Sequence, residues 1–104
     1  GFVNYVEETT KLMIPLLRFY FHKDIRTVAA ESLPYLLDCV KLRDNDYARQ
    51  LWQYMNKQLF QAIEIESDHE VLGELFLSLS KIKEKMNKFL YLIFVSFEFS
   101  VLKY

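Results

Sequence analysis

Two histidines, one cysteine and fourteen Asp and Glu residues are the side chains of this 104-residue sequence in which chemistry would first be sought. A hydrolytic zinc helix needs two histidines one turn apart with a glutamate between them. His22 and His69 lie far apart, and His69-Glu70 lacks the second histidine. Both read as turn histidines. Cys39 is alone, which excludes an internal disulfide or a cysteine-rich zinc site. No basic residue is placed to activate it, so it reads as a small buried or half-buried apolar side chain. The carboxylates are scattered along polar faces and form no acid–base pair. With Gly1 and Gly73 as the only glycines, no Gly-rich phosphate cradle can be built. No catalytic residue, metal or cofactor is expected, and the chain does not read as an enzyme.

Use of the surface by a protein partner is the better expectation. Lys+Arg 13 against Asp+Glu 14 gives a net charge of −1 with no one-sided run, which argues against nucleic acid as a partner. Gly 2 and Pro 2 together make 4 of 104 residues, about 4% where roughly 12% is usual, too few for a collagen-like, linker-like or turn-rich β chain. The start, Gly1-Phe2-Val3-Asn4, has no Met and no basic segment ahead of an apolar core, so it is no signal peptide. Together with the lone cysteine, this leads to the expectation of a soluble, intracellular, helix-rich chain that lacks its natural start.

Those surfaces need elements to carry them, and apolar spacing supplies four helices. Asn4 with Glu7 has the form of a capping box. Tyr5, Thr9, Leu12, Leu16 and Tyr20 follow at helical spacing, with Met13 and Leu17 widening the stripe and Pro15 bending it. After the polar turn His22-Lys23-Asp24, with Asp24 as the expected cap, comes Ile25, Val28, Ala29, Leu33, Leu36, Leu37 and Val40, with Pro34 inside. Arg43 to Asp46 is a second polar turn with several possible caps. A third stripe is Tyr47, Leu51, Met55, Leu59, Ala62 and Ile63, beside Trp52 and Phe60. Glu64 to Asp68 closes that helix, and Ser67 or Asp68 caps a fourth built on Val71, Leu75, Leu79, Ile82 and Met86, beside Leu72 and Phe76. Short turns make these two antiparallel helical hairpins.

The hairpins repeat. Ile25 pairs with Val71 at an offset of 71 − 25 = 46, and Ala29 with Leu75, Val40 with Met86 and Met13 with Leu59 share it. Helical hairpins at about 40–47 residues are the HEAT/armadillo period, and such units stack into a solenoid to bury their apolar faces.

The run Leu12-Met13-Ile14-Pro15-Leu16-Leu17, followed by Asp24-Ile25-Arg26-Thr27-Val28-Ala29-Ala30-Glu31-Ser32-Leu33, resembles a HEAT repeat. Its proline falls in the first helix, and an aliphatic-Arg pair opens the second. The longer run Lys11 to Pro34, with Phe19-Tyr20-Phe21-His22 inside it, resembles the karyopherin-beta nuclear import receptors and their importin-5 branch in particular. Tyr47 to Met55 and Asp68 to Leu72 continue the resemblance in register, up to about residue 86. Tyr20 departs from it, standing near where many HEAT repeats place a ladder aspartate. So does Leu72, which replaces the second repeat's arginine. The resemblance implies an all-α HEAT-repeat α-solenoid fragment, with repeats at 1–43 and 44–86 and a divergent aromatic tail at 87–104.

It also implies function. The parent would be a shuttling receptor of cytoplasm and nucleus that binds protein cargo, Ran GTPase and Phe-Gly nucleoporins, with no role for nucleic acid or membrane. The alternative is a generic HEAT scaffold or regulatory module. Facing away from the apolar stripe of the second helix are Arg26, Glu31, Tyr35, Asp38 and Lys41. In karyopherins the second helices line the cargo face, so the resemblance points to Glu31, Asp38, Glu70 and Glu74 as the protein-binding residues, attracting basic import signals. Phe19 and Trp52 are expected in the core, with a Phe-Gly groove as their other possible use. In the tail, the apolar–polar alternation from Val95 to Val101 is strand-like, and the apolar stretch is short for a membrane span and interrupted by Glu98. Such a segment is either an aggregation hazard or a cover for the open end of the solenoid, and the tail reads as a replacement for the family's continuation.

Overall fold

The computed structural model describes the backbone of residues 2–41 and 43–103, and the side chains of 2–41 and 43–88. It is all-helical: α1 (Phe2–Leu16), α2 (Lys23–Val40), α3 (Asn45–Ile65) and α4 (His69–Lys103), with no strand among the described residues. Two of the expected caps form. The carboxylate of Asp44 accepts the backbone N–H of Tyr47 at the start of α3. Asp68 Oδ1 accepts from both Glu70 N and Val71 N at the start of α4. Each satisfies donors that the first helical turn leaves orphaned.

Other helix ends differ from expectation. α1 begins at Phe2, which puts Asn4 inside the helix and not at its cap. α2 begins at Lys23 after His22, which makes no side-chain cap, so Asp24 lies in the first turn. There its charge faces the positive end of the helix dipole. α1 also ends sooner than its apolar period suggests, one residue after Pro15. The chain leaves through tightened i to i−3 bonds, Leu17 N to Ile14 O at 3.1 Å, Arg18 N to Pro15 O at 3.1 Å and Phe19 N to Leu16 O at 3.2 Å. α2, by contrast, runs straight through Pro34. The Val95–Val101 segment is helical, a continuation of α4 and not a strand. How its side chains pack, and so whether the tail covers an open end, falls outside the described residues.

The helices form two antiparallel hairpins laid side by side. Lys23 Nζ lies 3.0 Å from Glu70 Oε2 at the starts of α2 and α4, and Lys85 bonds Asp38 further along both. The separations, 70 − 23 = 47 and 85 − 38 = 47, are equal, so α2 and α4 run parallel and in constant register. Arg18 Nη2 to Gln61 Oε1 at 2.7 Å ties the far ends of α1 and α3 in the same sense. The Arg43 guanidinium sits 4.1 Å from the centre of the Phe2 ring and fastens the α2–α3 turn to the start of α1.

Between the hairpins lies one core built from all four helices, including Val6, Ile14, Leu33, Leu37, Met55, Leu59, Leu75 and Ile82. Its burial repeats at 45 residues: Val6 with Leu51, Thr10 with Met55, Ile14 with Leu59, Ala30 with Leu75 and Leu37 with Ile82 are all buried. At the expected offset of 46, Ala29 with Leu75 and Val40 with Met86 are also buried, but Ile25 is exposed against buried Val71, and 45 matches more of the core. On α1 the inward stripe is Val6, Thr10 and Ile14, continued by Leu17 just past its end, while Tyr5 and Leu12 face solvent. Thr10 is tolerated inside because its hydroxyl donates to Val6 O at 2.8 Å. On α2, Ile25 and Val28 are exposed, and Arg26, expected on the solvent face, is buried. Phe60 and Phe76 are exposed beside their stripes.

Arg26 is the pivot of the assembly. Its Nε donates to Glu66 Oε1 at 2.7 Å and its Nη1 to Phe19 O at 3.1 Å, joining the α1–α2 turn to the α3–α4 turn. The two charged side chains are only 8% and 4% exposed, so neither charge can fall back on water. Glu66→Ala should therefore lower unfolding stability by about 3 kcal/mol in urea titration, because it strands the Arg26 charge. The double change Arg26→Met with Glu66→Leu should cost clearly less than the single one.

Candidate functional site

The exposed side of the parallel α2–α4 pair carries the charged residues that sequence reasoning singled out. Glu70 and Glu74 stand near its N-terminal end, Glu31 and Asp38 further along α2. The parallel register brings them onto one face, but they are not equivalent. Glu70 pairs with Lys23, and Asp38 is held by both Lys41, at 3.0 Å, and Lys85. Glu31 is exposed and Glu74 half-buried, and neither makes an ion pair among the described residues.

The electrostatics follow from these pairings. Partial burial alone would push the Asp38 carboxyl up, but the hydrogen bonds from Lys85 and Lys41 outweigh it and hold it below the usual carboxylate range. The hydrogen bond and charge of Glu70 raise the Lys23 ammonium pKa. The Val71 N–H, followed by that of Glu70, holds Asp68 low as an anionic helix cap. Burial, with the nearby Glu7 charge, raises the Tyr47 phenol. Charge thus segregates along α4: Glu70 and Glu74 in its first turns, then Lys81, Lys83, Lys85 and Lys88, broken only by Glu84.

Two concave surfaces lie between neighbouring helices. One, about 370 Å³, sits between α2 and the middle of α4, with Pro34 and Ser78 among its lining residues. The other, about 290 Å³, lies between α1 and α3 and is lined by Thr10, Tyr47, Leu51 and Tyr54 among others. Neither Phe19 nor Trp52 lines it. Phe19, expected in the core, is exposed and stacks on His22 with ring centres 6.2 Å apart. Trp52 is half-buried against the core, and its indole N–H has no partner among the described residues. Cys39, expected buried or half-buried, is exposed. It stands two residues after the inward Leu37 and one before the inward Val40.

Among the described residues no group of three or more His, Cys, Asp or Glu side chains could hold a metal ion. No helix, within the described residues, is long and apolar enough to cross a membrane. No known protein-family profile matches the chain.

Asp38 gives the face a pH signature. Its folded pKa is depressed, so its contribution is complete above the unfolded value, about 3.9, and is lost as pH falls through the lower folded value. Asp38→Asn should therefore destabilise the protein near neutral pH, by an amount that shrinks as pH falls below the unfolded value. Urea midpoints of both proteins across that range check this.

Proposed function

We propose that this chain is a non-catalytic protein-binding unit of two stacked HEAT-type hairpins, of the kind that builds karyopherin-beta nuclear transport receptors. Such a receptor shuttles between cytoplasm and nucleus, binding cargo with basic import signals, Ran GTPase and Phe-Gly nucleoporins along its surface. The observation that carries the reading is the Arg26–Glu66 pair. The arginine that opens the second helix of one hairpin bonds a carboxylate in the turn of the next. In the 45-residue register Glu66 corresponds to Phe21, since 66 − 45 = 21, one position beyond Tyr20, near where HEAT repeats place a ladder aspartate.

Burial that repeats every 45 residues supports the same reading, because one hairpin's apolar face needs a neighbour. So do apolar side chains left exposed on α1. Tyr5 and Leu12 lie seven apart there, both more than half exposed. Residues two turns apart share a helix face, the pattern a further hairpin would cover.

A generic HEAT scaffold is the second reading. It is favoured by the way Asp38 and Glu70 are already neutralised by the chain's own lysines. Glu31 and Glu74 remain the carboxylates best placed for a basic signal. A fluorescent Lys/Arg-rich import-signal peptide should bind the chain in a salt-sensitive way. Replacing Glu31 and Glu74 by Lys should weaken it about fivefold or more in anisotropy titrations. An unchanged affinity would favour the scaffold.

A further inference from the structure

The α2–α4 groove carries the same sign of charge as a basic signal and would repel one. Lys41, Lys81, Lys85 and Lys88 line it, against Glu31 and Glu84, so the lining carries 4 − 2 = two net positive charges. Asp38, beside it, spends its carboxylate on Lys41 and Lys85. Lys88 pairs only with Glu84 on its own helix, both side chains more than 60% exposed, an arrangement worth little in water. Lys81 makes no ion pair among the described residues.

The second observation is Ser78. It lines the same groove, yet it is 1% exposed and its hydroxyl has no hydrogen-bond partner among the described residues. A buried hydroxyl in a helix ordinarily bonds the carbonyl one turn back, as Thr10 does here at the equivalent depth of α1. An unsatisfied buried polar group costs stability, so an unpartnered hydroxyl beside a cluster of cations marks a place where a hydrogen-bond partner is missing, and its O–H is free to donate. Both kinds of group are donors. The ligand they suit is an acceptor-rich anion, and the groove, at about 370 Å³, has room for a few side chains and not for a folded surface.

We propose that this groove binds an acidic peptide segment of a partner protein, one carboxylate accepting from Ser78 Oγ and its neighbours lying between Lys81 and Lys88. This does not rest on the import reading. It assigns a different class of ligand to the part of the α2–α4 face beyond Glu70 and Glu74, with Glu31 at the border between the two.

The test is anisotropy titration of the full chain with a labelled hexapeptide of Asp and Glu, against a neutral peptide of equal length. The acidic peptide should bind, and the neutral one should not. Lys81→Glu with Lys88→Glu should weaken binding about tenfold or more. Ser78→Ala should weaken it about threefold without lowering the melting temperature, since the lost hydroxyl bonds nothing in the free protein. Lys83→Glu, a lysine of the same helix outside the groove, should leave affinity unchanged. Equal binding of neutral and acidic peptides would overturn the proposal. So would a loss with Lys83→Glu as large as with the groove lysines, or no effect of Ser78→Ala. An oligonucleotide that displaces the peptide at lower concentration would also overturn it, assigning the groove to general polyanion attraction. The basic-signal peptide run in parallel is read on Glu74→Lys, which lies outside the groove lining, so the two readings fail separately.

Discussion

The placement of one guanidinium governs this structure. Arg26 enters the interior at the first turn of α2 and finds two acceptors, the Glu66 carboxylate from the far hairpin and the Phe19 carbonyl from its own. The Tyr20 ring lies 6.0 Å from it as a further, weaker partner. Burying a charge pair is costly, and the attraction compensates only when the geometry is good and the remaining donors are satisfied. Apolar packing alone allows neighbouring hairpins to slide by a turn at modest cost. A buried ion pair does not, because any slip leaves two uncompensated charges. The pair therefore acts chiefly as a register device.

Register has consequences at the surface. Once Arg26 sets the first hairpin against the second, α2 and α4 run parallel with a constant separation of 47 between paired residues. That places Lys23 against Glu70 at one end and Asp38 against Lys85 further along. Glu70, in the first turn of α4, also complements the positive end of its helix dipole. A single face then offers acidic and basic halves, with the α2–α4 groove in the basic one. Chemistry of this kind is recognition, and its specificity comes from where charges are left without partners.

Much of this was legible in the residues alone. Four stripes at helical spacing give four helices, and Asp44 and Asp68 announce two of the starts because their short carboxylates reach backbone N–H groups two or three residues on. What misled was residue type standing in for burial. Tyr5 and Leu12 look like core and face water, while Thr10, polar by type, is inside because it bonds its own helix. Ile25 was matched to Val71 as one apolar residue to another, but the buried counterpart of Val71 is Arg26, and the period shortens from 46 to 45. No local pattern could have found Arg26's role, since its partner is 40 residues away. The alternation at Val95–Val101 is strand-like in period, but it is too short to outweigh the helix already running into it. The groove was invisible for a related reason: Ser78 and Lys81 acquire meaning only when α2 lies beside them.

The central claim is that the two hairpins form one cooperative unit, locked by a buried pair across their turns. Trp52 is the only tryptophan and sits on α3, so its fluorescence reports the second hairpin, whereas far-ultraviolet circular dichroism reports all four helices. Urea unfolding followed by both signals tests the claim most directly. Coincident transitions with one midpoint are expected. A fluorescence transition separated from a second, purely dichroic one would mean that the hairpins unfold independently, and would contradict it.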